Sequence, residues 1–226
     1  MKKIIKNSLC LCLAMFLMFS VVSCGKDQEN PEKQQEINNR EEVETSEEIT
    51  ENPKATYVDG ILVVNKKNSI PAGFAQGPDP KAKEEINRLI KDMQNLGYDI
   101  SSGYSGFRSH EYQTNLYNRY VDNHGKEEAD TYSARPGYSE HETGLSFDLL
   151  NGNEELMREK KAAKWVAENA HKYGFIVRYP EGKEDITGFM YEPWHLRYVG
   201  EIAEDIYQQQ ITLEEYLNVE GGDYNK

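Results

Sequence analysis

The sequence predicts an α+β domain, and two observations carry that prediction. Short runs rich in β-branched and aromatic residues, bounded by turn formers, read as strands; Gly60–Asn65 and Leu145–Leu150 are the clearest. Among them lie segments with apolar residues at helical spacing, such as Ile86, Leu89, Ile90, Met93 and Leu96. No internal repeat is apparent.

Lys2, Lys3 and Lys6 precede an apolar run, Leu9–Val22, broken only by Ser20. The run is too short for a comfortable membrane span, and with its basic flank it reads as a secretory signal over residues 1–23. It leads into Val21-Val22-Ser23-Cys24-Gly25, which resembles the bacterial lipobox, whose cysteine is lipidated and becomes the new N-terminus. Cys24 is therefore the expected lipidation site. The expected location is the extracytoplasmic face of a bacterial cell membrane. Cys10 and Cys12 would leave with the signal, so the mature chain keeps one cysteine and no internal disulfide. Gly25–Thr56, with ten acids against four bases and no aromatic residue, reads as a disordered acidic tether. The folded domain is expected over residues 57–226.

Gly60–Asn65 opens that domain as a strand. Asp79 caps a helix that has Pro80 in its first turn and ends at Gly97. Tyr98–Ser105 reads as a short strand, and Ser109 as the cap of a helix over His110–Asn123. Arg108 then sits at a strand-to-helix corner, where scaffolds present working residues, with Gln113 one turn into the helix. A short helix is expected over Lys126–Tyr132, a loop over Ser133–Tyr138, and a buried strand carrying Asp148 over Leu145–Leu150. Asn153 opens a long helix to about Tyr173, stopped by Gly174. Phe175–Tyr179 and Phe189–Val199 read as strands separated by a polar turn. Glu201–Gln210 and Thr212–Asn218 read as helices.

A length of 226 residues suggests one domain plus extras. The balance of 39 Asp and Glu against 26 Lys and Arg argues against a nucleic-acid partner, which needs a basic face.

The chemistry concentrates in Ser139–Asp148 (SEHETGLSFD) and Glu192–His195 (EPWH). His141, Asp148 and His195 form a ligand set of the kind catalytic zinc uses, three protein groups with a fourth position left for water. Glu192 is the spare carboxylate that a hydrolase needs to take a proton from that water. Imidazole pairs disfavour calcium and magnesium, which prefer oxygen ligands. His141 and Asp148 are seven apart, so an unbroken strand would point them to opposite faces; the backbone must turn between them, and Gly144 is well placed to let it. Pro193 speaks against a helix through Glu192 and His195 and favours a bend there. His110, His124 and His171 each have a structural home and are assigned no role.

S-x-H-x-x-G-x-x-x-D at Ser139–Asp148 followed by E-P-W-H resembles the VanY-type D-alanyl-D-alanine carboxypeptidases. The likeness runs from Leu62–Lys66 through Ser105–Ser109 to Leu196-Arg197. It implies a mixed α+β fold of the hedgehog/DD-peptidase kind, with a mainly antiparallel sheet flanked by helices. It implies zinc held by His141, Asp148 and His195, with Glu192 as catalytic base. Arg108, Gln113 and Ser139 would face the substrate's terminal residue or the developing oxyanion, and Arg108 would share in catalysis. The implied substrate is a peptidoglycan stem peptide ending in D-Ala, and a monomer is expected. The alternatives are an L,D-carboxypeptidase that trims tetrapeptide stems, and a zinc-stabilised peptidoglycan-binding lipoprotein without turnover. A solute-binding lipoprotein is a further class, separable by its metal content.

Overall fold

The computed structural model describes residues 53–224, so the signal-like segment, Cys24 and nearly all of the acidic tether lie outside the described residues. The tether was expected to reach Thr56, but Thr56–Val58 forms a strand, β1, paired antiparallel with β2 (Ile61–Val63). Asp59 and Gly60 join them with positive φ at both positions, the geometry whose twist matches a two-residue hairpin.

Helix α1 (Pro80–Asn95) begins as its sequence signals require, with the Asp79 carboxylate accepting from the Ala82 N–H at 2.8 Å. It buries Ala82, Ile86, Leu89, Ile90 and Met93, whereas Leu96, expected on the same stripe, lies past the helix end and is exposed. The next strand is much shorter than expected: only Tyr104–Ser105 (β3) pairs. Before it, the Ser101 hydroxyl bonds the Gly103 N–H and the Glu154 carboxylate, local contacts that replace a ladder. Ser109 caps α2 (His110–His124), and α3 (Lys126–Tyr132) has the expected bounds.

A 3₁₀ turn over Glu140–Thr143 ends at Gly144, which has a φ of 75° and supplies the turn that the motif spacing demands. Strand β4 (Ser146–Leu149) follows directly. The long helix expected from Asn153 begins only at Lys160 (α4, Lys160–Asn169), capped by Glu159. Residues 153–159 stay out of the helix: the chain turns through Glu154, at a φ of 62°, then Leu156 bridges back to Leu150 and the Met157 N–H donates to the Leu149 carbonyl. A 3₁₀ turn, Ala170–Tyr173, leads through Gly174 into β5 (Phe175–Val177). The polar turn after β5 holds one short unanticipated helix, α5 (Glu184–Thr187). Strand β6 is only His195–Tyr198, and α6 (Ile202–Gln209) and α7 (Leu213–Leu217) complete the described chain.

The main sheet has the order β3-β4-β6-β5 and is antiparallel throughout. Phe147, Leu149 and Leu196 face α1 and α4 in the main core. The alternation of a strand sends Ser146, Asp148, His195 and Arg197 to the opposite face. Register places Ser105 opposite Asp148 and Asp148 opposite His195, so one row of polar side chains crosses three strands. A second apolar cluster, including Val63, Ile176 and Ile206, joins the hairpin to α6 and α7. Among the described residues no helix is long and apolar enough to cross a membrane.

Candidate metal centre

Three elements bring the predicted ligands together. Asp148 and His195 are cross-strand partners in β4 and β6, and His141 arrives from the 3₁₀ turn that Gly144 closes. A Cβ on Gly144 would stand 2.3 Å from the Gly77 carbonyl oxygen, so this turn needs glycine both for its φ and for the close approach of the loop. Pro193 and Trp194 make a turn that returns the His195 N–H to the Glu192 carbonyl at 3.2 Å, which is the expected bend.

One atom each from His141, Asp148 and His195 lies within 4.8 Å of the other two, and all three residues are buried. Asp148 Oδ1 is 3.2 Å from His141 Nε2 and 3.1 Å from His195 Nδ1, yet no donor is aligned on it and it remains a buried acceptor without a hydrogen bond. The other nitrogens are committed elsewhere. His141 Nδ1 lies 2.8 Å from the Gly106 carbonyl, which can only accept, so the proton sits on Nδ1 and Nε2 keeps its lone pair. His195 Nε2 faces Glu140 Oε2 at 3.4 Å, which directs the Nδ1 lone pair toward Asp148. Three acceptors converging in a buried space call for a cation. The two spacings from Asp148 Oδ1 are close to the roughly 3.3 Å expected between ligands on a tetrahedral zinc with bonds near 2.0–2.1 Å. The residues therefore fit the metal.

Glu192 stands beside this set and outside it, its Oε2 3.7 Å from His195 Nδ1. Burial pushes its carboxyl up to about 8, with the Asp148 charge pushing the same way and His195 opposing. A divalent cation nearby would work in the opposite direction and favour the ionised carboxylate. Burial alone would lower the His195 pKa, but the carboxylates of Asp148 and Glu140 on either side outweigh it and bring the ring to about 9, and a cation on Nδ1 would displace that proton. Burial and the Arg108 charge hold His141 near 4.

A cleft of about 570 Å³ opens onto the centre and is lined by all the predicted substrate residues, Arg108, Gln113 and Ser139. Arg108 Nη2 donates to Asp148 Oδ2 at 2.7 Å and to the Ser105 hydroxyl at 3.0 Å. Gln113 donates to the Ala134 carbonyl, and its own Oε1 is buried without a donor. His110 pairs with Glu142 and His171 stacks on Tyr207, so neither joins the centre.

The chain matches the family model described as VanY, D-alanyl-D-alanine carboxypeptidase, over residues 77–201. The chain belongs to the VanY family. It is 42% identical over 143 residues to the putative carboxypeptidase YodJ of Bacillus subtilis, a match that covers 61% of this chain and 52% of YodJ. The chain thus spans about half the length of that curated relative. Among solved structures, the L,D-carboxypeptidase DacB of Streptococcus pneumoniae is similar at 47% identity and a TM-score of 0.71, covering 76% of this chain and all of DacB. A mutant of the vancomycin-resistance D,D-pentapeptidase VanY, in complex with Zn(II), is similar at 34% identity and a TM-score of 0.62. That match covers 69% of this chain and 97% of the other. The antiparallel sheet with flanking helices is the VanY fold, as the motifs implied.

One buried residue of this VanY domain escaped the sequence reading. Glu140, next to His141, is almost fully buried, and its Oε1 accepts from Arg178 and from Arg197, each at 2.7 Å. Its Oε2 accepts from Ser146 at 3.1 Å and faces His195. Arg178 also forms a two-point pair with Glu214, and Arg197 donates to the Leu62 carbonyl. The signal was available: Arg178 and Arg197 each sit inside a strand-like apolar run, where a buried cation demands a carboxylate.

Proposed function

We propose that this chain is a zinc carboxypeptidase that removes the C-terminal D-alanine from peptidoglycan stem peptides, with D-alanyl-D-alanine ends as its substrate. The observation that carries the reading is the convergence of His141 Nε2, Asp148 Oδ1 and His195 Nδ1 beside a separate carboxylate, Glu192. A pure binder has no use for that extra carboxylate. His141, Asp148 and His195 would hold the zinc, which would supply Lewis-acid chemistry: polarisation of the scissile carbonyl and a lowered pKa for the attacking water. The Glu192 carboxylate takes the proton from the attacking water and delivers it to the nitrogen of the departing D-alanine. Arg108 keeps the Asp148 carboxylate oriented through Oδ2 and offers its remaining N–H groups to the developing oxyanion. The unbonded Gln113 Oε1 and the Ser139 hydroxyl offer polar contacts to the substrate's terminal residue.

A second reading, L,D-carboxypeptidase, is favoured by the higher identity to DacB than to the D,D-pentapeptidase. Incubating the purified domain with penta- and tetrapeptide stems and weighing the products decides between them. Each product is identified as tetra- or tripeptide by its mass and fragmentation. Release from the pentapeptide supports the first reading, release from the tetrapeptide alone the second, and release from neither overturns both.

We further propose that a lipid on Cys24 holds a monomeric enzyme at the outer face of the membrane. The basic, apolar and small-residue order before that cysteine supports this. Unchanged membrane fractionation and mass in Cys24→Ala would remove the anchor from the account.

A further inference from the structure

Two cations line the cleft, and they differ in how they are neutralised. Arg108 is paired with Asp148. Arg158 makes no hydrogen bond and no ion pair among the described residues; its guanidinium lies over the Trp194 ring, 3.9 Å from the centroid. The non-helical path of residues 156–159, which follows the turn at Glu154, puts it there. Met157 is turned into the core, so its neighbours Leu156 and Arg158 both reach the cleft. Trp194 is buried and immediately precedes the ligand His195, so the ring is a fixed wall at the edge of the centre. A guanidinium resting on an aromatic face keeps its N–H donors available in its own plane, and it forfeits less freedom than a loose side chain when it binds.

We propose that Arg158 is a specificity-determining residue whose guanidinium engages a carboxylate of the peptide substrate, a step that rests on the peptidase reading and deepens it. A carboxylate is the planar, two-oxygen acceptor that this fork matches. Of the carboxylates lining the cleft, none is in ion-pair contact with Arg158, and Glu192 feels its charge only at longer range. Stem peptides carry carboxylates from two sources, the C-terminus and the residues upstream of the cleaved bond.

The test compares wild type with Arg158→Ala and Arg158→Lys on free stem peptides, on peptides amidated upstream, and on C-terminal amides. On the free peptides Arg158→Ala should raise KM about 10- to 100-fold with kcat unchanged, the usual weight of a charged hydrogen bond. Arg158→Lys should recover part of the loss. Amidation of the recognised carboxylate should cost wild type the same factor and Arg158→Ala nothing further, and the arm in which this happens names the source. Binding is also read in a Glu192→Ala background by tryptophan fluorescence during peptide titration. That arm needs no turnover, so an inactive wild type sinks the peptidase reading while the affinities still decide the role of Arg158. Equal affinity in wild type and Arg158→Ala, or a loss that is the same for amidated and free peptides, overturns the proposal.

Discussion

Glu140 and His195 meet behind the metal centre, Oε2 against Nε2 at 3.4 Å, on the side of the imidazole away from Asp148. The contact sets which nitrogen of His195 faces the other ligands, and it ties that choice to two buried arginines. Glu140→Gln should therefore weaken zinc binding by about 10- to 100-fold, the usual effect of losing a carboxylate partner to a ligating histidine. It should also lower stability by about 3–5 kcal/mol, because Arg178 and Arg197 lose a common buried counter-charge. Chelator competition and urea unfolding measure the two effects; unchanged zinc affinity would refute the orienting role.

The same pair gives a pH dependence. Burial works to raise the Glu140 carboxyl, but the Arg178 and Arg197 guanidiniums and His195 hold it well below the usual carboxylate range. A pKa lower in the folded state than in the unfolded one contributes stability that is full above about pH 4.3 and fades as pH falls through the folded value. Wild type should lose stability steeply below about pH 4, and Glu140→Gln should start lower with a flatter slope in that window. Denaturant titrations at stepped pH measure this. Equal slopes would sink the assignment.

Glu192→Ala should retain its zinc and its melting temperature while kcat falls by roughly 10²–10⁴ or more, the weight of a positioned acid–base group. Elemental analysis, thermal melting and an assay of D-alanine release check the three parts. If the variant drops its zinc, Glu192 is a ligand and the division of roles fails.

His141→Ala or His195→Ala should behave in the opposite way and lose the metal together with part of the thermal stability. Chelator treatment of wild type should lower the melting temperature, and added zinc should restore it, since an ion bound only by the folded state stabilises that state. A melting temperature indifferent to chelator would argue that no metal occupies these ligands.

Gly144→Ala should be damaging out of proportion to one methyl group. The new Cβ would press on the Gly77 carbonyl, at a φ that alanine adopts only with strain. The loop held by the bond from the Asp79 N–H to the Gly144 carbonyl would have to move. A loss of about 2–4 kcal/mol is expected, in the upper range for single substitutions, and thermal or urea unfolding gives the value.

Local chemistry was legible wherever a residue acts within a few positions of itself. Asp79 and Ser109 announced their helices, and Gly144 announced the turn between two ligands. The cluster of His141, Asp148 and His195, with Glu192 beside it, was legible because these side chains have few other uses in that combination. Long-range pairing was not. Leu156 looks helical by spacing, but its bridge to Leu150 lies outside any local window, so the long helix was begun too early. Tyr98–Ser105 has strand-like composition but only two residues with a partner. The Asp59-Gly60 hairpin was overlooked although its dipeptide is a strong turn signal. Glu140 reads as one more acid in an acidic chain until Arg178 and Arg197 are brought to it through the fold.

The cross-strand placement of Asp148 and His195 also fixes when this protein can acquire its ion. Their partnership exists only after α4, β5 and α5 have been laid down and β6 has docked beside β4. A nascent or partly made chain offers separate, weak ligands, and closing so long a loop around an ion carries an entropic cost. Unlike small zinc modules, whose folding is driven by metal capture, this domain has an extensive apolar core behind the sheet to direct assembly first. The three-ligand site thus exists only once β6 is paired with β4, so the ion available where folding finishes is the one it meets.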